Sequence, residues 1–282
     1  MRGSVKLLAG LVGENIQGSL SSQIHEQEAA ALGLELTYRI IDLAQPKRNH
    51  VFLESVLLVA ESLGFSGLNI THPYKEDAVK MLDTLSEDAK NIGSVNTIVF
   101  REEKRHGDNT DWSAFSDDFQ ANLPGAPINH VAIIGTGGAG RAIAYAMLKM
   151  GTKELRLFDI VRHKAQSLAD HLKKKFPGKS VFVSADPESA LHGTDGFIQA
   201  TPVGMTEMPG IPVDTKLIHS SMWVSDIVYF PLETVLLKEA KRRGCRVIGG
   251  GGMVVRQAAA SFRQFFQVEP DVDRMLKRFL EA

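Results

Sequence analysis

Residues 130–147 constrain the fold more than any other stretch of the chain. They read His130-Val-Ala-Ile-Ile-Gly-Thr-Gly-Gly-Ala-Gly-Arg-Ala-Ile-Ala-Tyr-Ala-Met147, an apolar β-rich run that breaks into a glycine turn and then into an alanine-rich helical pattern. That order is the signature of a dinucleotide-binding βα turn. Gly135 allows the tight exit from the strand, Gly137 lets backbone approach a pyrophosphate, and Gly140 lets helix and strand pack closely, with the phosphates at the helix N-terminus. A glycine pattern alone also fits a phosphate-free turn in an ordinary α/β domain. The stretch Glu154-Leu-Arg-Leu-Phe-Asp159 adds specificity, because it is a second apolar strand ending in an acid about 20 residues past the glycines, where a ribose-binding carboxylate belongs.

The rest of the chain alternates strand and helix signals. Leu7 to Val12 is an apolar strand within Val5-Lys-Leu-Leu-Ala-Gly-Leu-Val12, a run too short for a membrane span and without a cleavage site. A helix from about Ser22 to Leu32 stops at Gly33, and Leu36, Tyr38 and Ile40 then alternate as in a strand. A helix from about His50 to Leu63 places Phe52, Val56, Val59 and Leu63 on one face and stops at Gly64, followed by a short buried strand, Gly67–Ile70. A further strand at Val95–Phe100 leads through a turn-like Lys104–Gly107 to a helix carrying Trp112, Phe115, Phe119 and Leu123. Later strands are expected near Ser180–Ser184, Gly196–Ala200, Trp223–Val228 and Arg246–Ile248. Helices are expected at Leu232–Arg243, Val254–Phe266 and Asp271–Leu280.

This pattern predicts an α/β protein of two domains. The first comprises residues 1–110 plus 254–282 and the second, a Rossmann-like doubly wound nucleotide domain, residues 111–253. Pro124-Gly-Ala-Pro127 is the clearest linker-like punctuation before the glycine-rich strand. A length of 282 residues with 44% hydrophobic and 23% charged residues suits two ordinary globular domains. The formal net charge of -1, without long basic runs, argues against a nucleic-acid binder, and no membrane partner is expected. One cysteine, Cys245, excludes an internal disulfide and a multi-cysteine zinc site, and the histidines lack metal-ligand spacing. A cytoplasmic protein acting on a small molecule, as a monomer or homodimer, is the expectation.

Five polar clusters follow apolar strands or open helices: Ser19–Ser21, Asn69–Lys75, Val95–Thr97, Asn109–Asp111, and Gln257 in the late helix. In an open α/β sheet ligands gather outside the carboxyl ends of the strands, which makes the Thr71–Lys75 loop a site candidate on topology alone. Each cluster also has a structural explanation. Ser21 or Ser22 can cap a helix, Asn69 and Thr71 can satisfy a turn, Lys75 can be a solvated lysine, and Asp111 is an adequate N-cap.

Taken together the clusters resemble the shikimate and quinate dehydrogenases. The resemblance runs nearly end to end. It covers Gly13-Glu-Asn-Ile-Gln-Gly-Ser-Leu-Ser21 with His25, Leu68-Asn-Ile-Thr-His-Pro-Tyr-Lys75, Gly93-Ser-Val-Asn-Thr-Ile98 and Gly107-Asp-Asn-Thr-Asp111. It continues through the glycine turn, Gln199-Ala-Thr-Pro-Val-Gly-Met205, Asp226-Ile-Val-Tyr-Phe-Pro231, and Gly252-Met253 with Gln257. It implies two α/β domains with a substrate cleft between them, and reversible oxidation of the C3 hydroxyl of a cyclohexene or cyclohexane carboxylate by a nicotinamide cofactor. It further implies that Lys75 and Asp111 are the catalytic pair and that Ser19 and Ser21 hold the substrate carboxylate. Asn69, Thr71, Asn96 and Gln257 would bind ring hydroxyls, and Tyr229 would lie near substrate and nicotinamide. The cofactor would be held by Gly135, Gly137, Gly138, Ala139, Gly140, Asp159, Arg162, Thr201, Val203, Met205, Val228 and Gly252. The residue types suit those roles, since an amine can take and return the alcohol proton, hydroxyls donate to a carboxylate without adding charge, and amides both donate and accept.

The sequence departs from the family pattern at Gly18, where many members carry His, and at Ser22, in place of a common Pro. The loop Gly249–Gly252 is also unusually glycine-rich. The Thr-His-Pro-Tyr-Lys form and Asp159 resemble the NAD-using quinate/shikimate branch, which makes NAD the expected cofactor and NADP a weaker one. Two other readings stay open, an aminoshikimate-type dehydrogenase and a non-catalytic NAD-binding regulator.

Overall fold

A computed structural model describes residues 6–44 and 52–281. The chain divides into two compact units, one of Met1–Thr110 with Val255–Ala282 and the other of Asp111–Val254.

The first unit is a six-stranded mixed sheet. Its strands are β1 (Leu7–Gly13), β2 (Leu36–Asp42), β3 (Gly67–Ile70), β4 (Thr84–Leu85), β5 (Thr97–Arg101) and β6 (Lys104–Asp108), in the order β2-β1-β3-β5-β6-β4. The strands β1, β2 and β3 run parallel, and β5 lies antiparallel to both β3 and β6. Helices α1 (Ser21–Ala31), α2 (Leu53–Ser62) and α3 (Glu87–Ile92) come from the N-terminal part, and α9 (Gly251–Phe266) and α10 (Val272–Glu281) return from the C-terminal end. The pleat sends alternate residues to two apolar clusters, so that Val12, Leu68, Ile70 and Ile98 pack with Leu53 and Leu57 while Leu11, Tyr38 and Val99 pack with Phe265. A Cβ on Gly67 would fall 2.4 Å from the Phe265 ring, so glycine there admits the late helix to the sheet. The α10 end is held by charge as well. The fully enclosed Glu28 carboxylate accepts from the Arg274 guanidinium at 2.9 and 2.5 Å and from the Asp271 N–H at 2.8 Å.

The structure adds to one sequence expectation here and corrects another. Helix α2 buries Leu53, Leu57 and Ala60, whereas Phe52, Val59 and Leu63 are 72%, 54% and 63% exposed. The helix carries two apolar stripes about 100° apart, and periodicity alone does not choose between them. Its expected start, His50, lies outside the described residues, as does Val5 before β1. The expected turn at Lys104–Gly107 is instead strand β6. The reversal occurs at Glu102 and Glu103, both left-handed with φ of 53° and 56°, a backbone shape that matches hairpin twist but ordinarily draws Asn and Gly.

The second unit begins with α4 (Asp111–Asn122) and continues as β7 (His130–Ile134), α5 (Gly138–Met150), β8 (Glu154–Phe158), α6 (Arg162–Lys175), β9 (Ser180–Val183), α7 (Pro187–Leu191), β10 (Gly196–Gln199), β11 (Trp223–Asp226), α8 (Val235–Arg242) and β12 (Arg246–Gly249). All six strands are parallel in the order β12-β11-β10-β7-β8-β9, the doubly wound arrangement with its switch point between β7 and β10. Near-continuous apolar runs such as Val131–Ile134 are buried on both faces, as a parallel sheet covered by helices requires. No helix among the described residues is long and apolar enough to cross a membrane.

Candidate active site

In the first unit the polar residues gather at the carboxyl ends of β1, β2 and β3. The chain leaves β1 at Gly13, where a Cβ would lie 2.4 Å from the Thr71 methyl, so the loop after β1 runs against the loop after β3. The Glu14 N–H donates to the His72 carbonyl at 2.9 Å, and the Tyr74 hydroxyl donates to Glu14 Oε1 at 2.5 Å, which with burial pushes the phenol up to about 12. The loop then wraps a buried carboxylate that the sequence did not single out. Asp42, the last residue of β2, accepts from the N–H groups of Asn15 at 3.0 Å, Ile16 at 3.1 Å and Ala44 at 3.0 Å, and from the Gln17 amide at 3.4 Å. This holds the approach to Ser19 and Ser21, whose hydroxyls lie 3.0 Å apart at the start of α1. No side chain caps that helix, so Ser21 is its first residue rather than the expected cap.

Asn69 stands in β3 opposite Thr97 of β5 and is pinned by three side-chain bonds. Its Nδ2 donates to the Asn96 carbonyl and to Thr97 Oγ1, each at 3.2 Å, and its Oδ1 accepts from the Tyr38 hydroxyl at 2.8 Å. Asn96 is buried and donates to Thr110 Oγ1 at 3.0 Å and to Gln257 Oε1 at 3.2 Å, while accepting the Thr110 N–H at 2.8 Å. Lys75 is half-buried, and its carbonyl accepts the Val95 N–H at 2.8 Å, fixing the Thr71–Lys75 loop against the Asn96 segment. One unit thus brings together Ser19, Ser21, Asn69, Thr71, Lys75, Asn96 and Gln257. Asp111 and Tyr229 belong to the other unit: Asp111 opens α4 and is buried, and Tyr229 follows β11 with burial pushing its phenol up.

In the second unit the glycine turn has the geometry its sequence requires. Gly135 adopts φ of +98°, and a Cβ there would lie 2.7 Å from both the Ala200 carbonyl and the Thr201 methyl. A Cβ on Gly140 would lie 2.1 Å from the Gly135 carbonyl, so α5 sits as close to β7 as backbone allows. Gly137, the N-cap of α5, is the opposite case, with no atom within 4 Å of its Cβ position. Open space faces the uncapped first turn at Gly138 and Ala139, where the macrodipole favours an anion. This is the cradle a pyrophosphate fits.

Asp159 lies just past β8 and is tied to the same turn. Its Oδ2 accepts from the Thr136 N–H at 2.8 Å and hydroxyl at 2.9 Å, and its Oδ1 accepts from the Val161 N–H at 2.8 Å. Arg162, His163 and Lys164 are exposed in the first turn of α6. Across the switch point, the buried Gln199 amide donates to the Val203 carbonyl at 2.6 Å and to Thr201 Oγ1 at 2.9 Å, shaping the loop that ends at the exposed Met205. The Val228 N–H donates to Asp226 Oδ1 at 3.0 Å, and Thr234 donates to Oδ2 at 2.7 Å. Burial pushes Asp226 up to about 6 in spite of those bonds. Gly252 packs against α4, with its Cβ position only 2.0 Å from the Asp118 carboxylate, so the small residue there serves close approach of helix to helix. Asp42, Tyr38, Thr136 and Asp226 were missed in the sequence. The position of Asp42 at the carboxyl end of a parallel strand was the available signal.

Comparison with known proteins agrees with this geometry. The shikimate dehydrogenase substrate binding domain matches residues 11–98, and the shikimate 5'-dehydrogenase C-terminal domain matches residues 250–278. A shikimate dehydrogenase (NADP(+)) of Pseudarthrobacter chlorophenolicus is 43% identical over 97% of this chain and 94% of its own length. A quinate/shikimate dehydrogenase (NAD(+)) of Corynebacterium efficiens is 40% identical over 97% and 98%. The solved quinate dehydrogenase from Corynebacterium glutamicum in complex with NAD superposes with a TM-score of 0.93 at 38% identity, covering 98% of this chain and 99% of that one. Matched from end to end in sequence and in both units of its fold, the chain belongs to the shikimate/quinate dehydrogenase family of NAD(P)-dependent oxidoreductases.

Proposed function

We propose that the protein reversibly oxidises the C3 hydroxyl of shikimate, quinate or both to the 3-dehydro ketone, with NAD preferred over NADP. The observation that carries this reading is the gathering in one unit of the paired Ser19 and Ser21 hydroxyls and the hydrogen-bonded amides Asn69, Asn96 and Gln257, with the Lys75 loop tied to the Asn96 segment. Two hydroxyls at the uncapped start of α1 suit a carboxylate, and three amides suit a polyol ring. In this scheme Lys75 takes the hydroxyl proton as the C3–H hydride leaves and returns it in the reverse direction, with Asp111 as its partner. Bound NAD supplies the hydride acceptor. The first unit serves as the substrate domain and the second as the nucleotide domain.

The cofactor preference follows from Asp159. Thr136 and Val161 fix this carboxylate beside the glycine turn, where it can accept from the ribose hydroxyls of NAD. The 2′-phosphate of NADP would bring about two negative charges toward it. Arg162 and Lys164 work in the other direction, but they stand exposed at the start of α6, where water screens them. The test is the rate of NADH or NADPH formation with shikimate and with quinate. The expected result is at least roughly tenfold higher kcat/KM with NAD, about 1.4 kcal/mol, narrowed by Asp159→Ser. Higher efficiency with NADP in the unaltered protein would refute the Asp159 role.

A further inference from the structure

Tyr38 occupies a place in the first unit that neither strand packing nor the substrate groups named above explain. Its side chain is buried in β2 at 3% exposure, and three contacts immobilise it. The ring stacks on His25 with centroids 4.5 Å apart and planes 14° apart. Burial pushes that imidazole down to about 3, so the stack is with a neutral ring at any working pH. The Tyr38 N–H donates to Glu26 Oε1 at 2.7 Å, tying strand to helix. The phenol hydroxyl then reaches across to two residues of the site at once, donating to Asn69 Oδ1 at 2.8 Å and facing the Ser21 side chain.

Two directed bonds meet at this phenol: Ser19 donates to Ser21, which faces the phenol, and the phenol donates to the Asn69 carbonyl. Both N–H groups of that amide are committed to Asn96 and Thr97, and Thr97 donates in turn to Asn96 Oδ1 at 3.0 Å. An amide has two donors and one carbonyl, so the phenol proton decides which way Asn69 faces and leaves only a carbonyl lone pair for a ligand.

We propose that Tyr38 is a positioning residue which, through its hydroxyl, sets the carboxylate-holding serines in register with the hydroxyl-binding amides, and so governs substrate affinity without touching the reacting carbon. The inference rests on the reading of Ser19, Ser21 and Asn69 as substrate groups. Removing the hydroxyl frees the amide to turn and leaves Ser21 facing a bare ring edge, while the aromatic stack survives.

The test is Tyr38→Phe in the full-length enzyme, assayed with shikimate and with its methyl ester. KM for shikimate is expected to rise about tenfold, or about 1.4 kcal/mol, with kcat and the KM for NAD each within about twofold. The preference for acid over ester should shrink in parallel. A residue that only stabilised the fold would lower melting temperature and leave KM unchanged. Ser21→Ala and the Ser21→Ala/Tyr38→Phe double variant supply a second readout, since residues in one chain should raise KM together by less than the product of their separate effects. An unchanged KM in Tyr38→Phe, or strictly multiplicative effects, overturns the proposal. Ser19→Ala separates the two levels. If it raises KM while Tyr38→Phe is silent, only the Tyr38 role fails; if it leaves KM for the acid unchanged, the carboxylate site and the Tyr38 role fail together.

Discussion

Gly137 and Gly140, on either side of the first two residues of α5, should respond to the same small substitution in opposite ways. At Gly140 an alanine Cβ would sit 2.1 Å from the Gly135 carbonyl, more than an ångström inside the 3.4 Å at which ordinary contact begins. That neighbour is backbone at a strained turn and cannot swing aside, so α5 must back away from β7. Overpacking of this kind costs about 1–3 kcal/mol, or a melting temperature roughly 3–10 °C lower. The shift also carries the first-turn N–H groups away from the phosphates. At Gly137 the Cβ meets nothing within 4 Å and the backbone, at φ of −68° and ψ of −171°, accepts any L-residue. Stability should change there only by the N-cap preference, about 1 kcal/mol or less. The new methyl nevertheless occupies the space a pyrophosphate needs. Loss of one or two bonds to a charged group, about 1.5–3 kcal/mol each, corresponds to at least tenfold weaker binding. Titration of NADH by fluorescence, beside thermal melts, should show weaker binding in both variants but the larger drop in melting temperature in Gly140→Ala. If Gly137→Ala binds NADH within about twofold of the unaltered protein, the close-approach argument is wrong and the turn does not hold the phosphates.

Lys75→Ala should lower kcat by roughly a hundredfold or more with a small change in KM, the size expected for loss of a general base; a near-normal rate in steady-state assays would remove it from the mechanism. Asp226 gives a pH signature of defined sign. Its carboxyl is pushed up to about 6 from 3.8, so the folded state binds the proton more tightly than the unfolded chain does. The contribution is therefore full below about pH 3.8 and is lost as pH rises through 6, amounting to about 3 kcal/mol. In urea melts, Asp226→Asn should gain on the unaltered protein by that amount between pH 4 and pH 8, and parallel pH profiles would contradict the assignment.

The nucleotide unit was legible because its determinants are local. A strand, three glycines and a strand-end acid all lie within 30 residues, and each glycine answers one steric demand, as Gly135 and Gly140 show. The first unit was less so. Its candidate residues could be named through motifs, yet the groups that hold them come from far along the chain: Asp42 reaches back 27 residues to Asn15, and Asn96 reaches 161 residues to Gln257. Such pairings carry no periodic signal. Tyr38 read as one more inward residue of an alternating strand because an aromatic ring in a core and a phenol in a polar network look the same in sequence. Which face of α2 is buried was hidden for a different reason, a helix so apolar that packing, not pattern, selects the stripe.

The ion pair of the enclosed Glu28 with Arg274 joins residues 246 apart, and this bears on how the protein is made. A ribosome delivers the N-terminus first, so α1 and the sheet around it are synthesised long before α9 and α10 exist. Until the last segment emerges, Glu28 has no guanidinium to face, and the sheet surface beside Gly67 has no Phe265 to cover it. The nucleotide unit is contiguous and can complete itself on the nascent chain. The unit that starts first therefore finishes last, and a stalled or C-terminally clipped product would carry a finished nucleotide fold beside an open, sticky sheet.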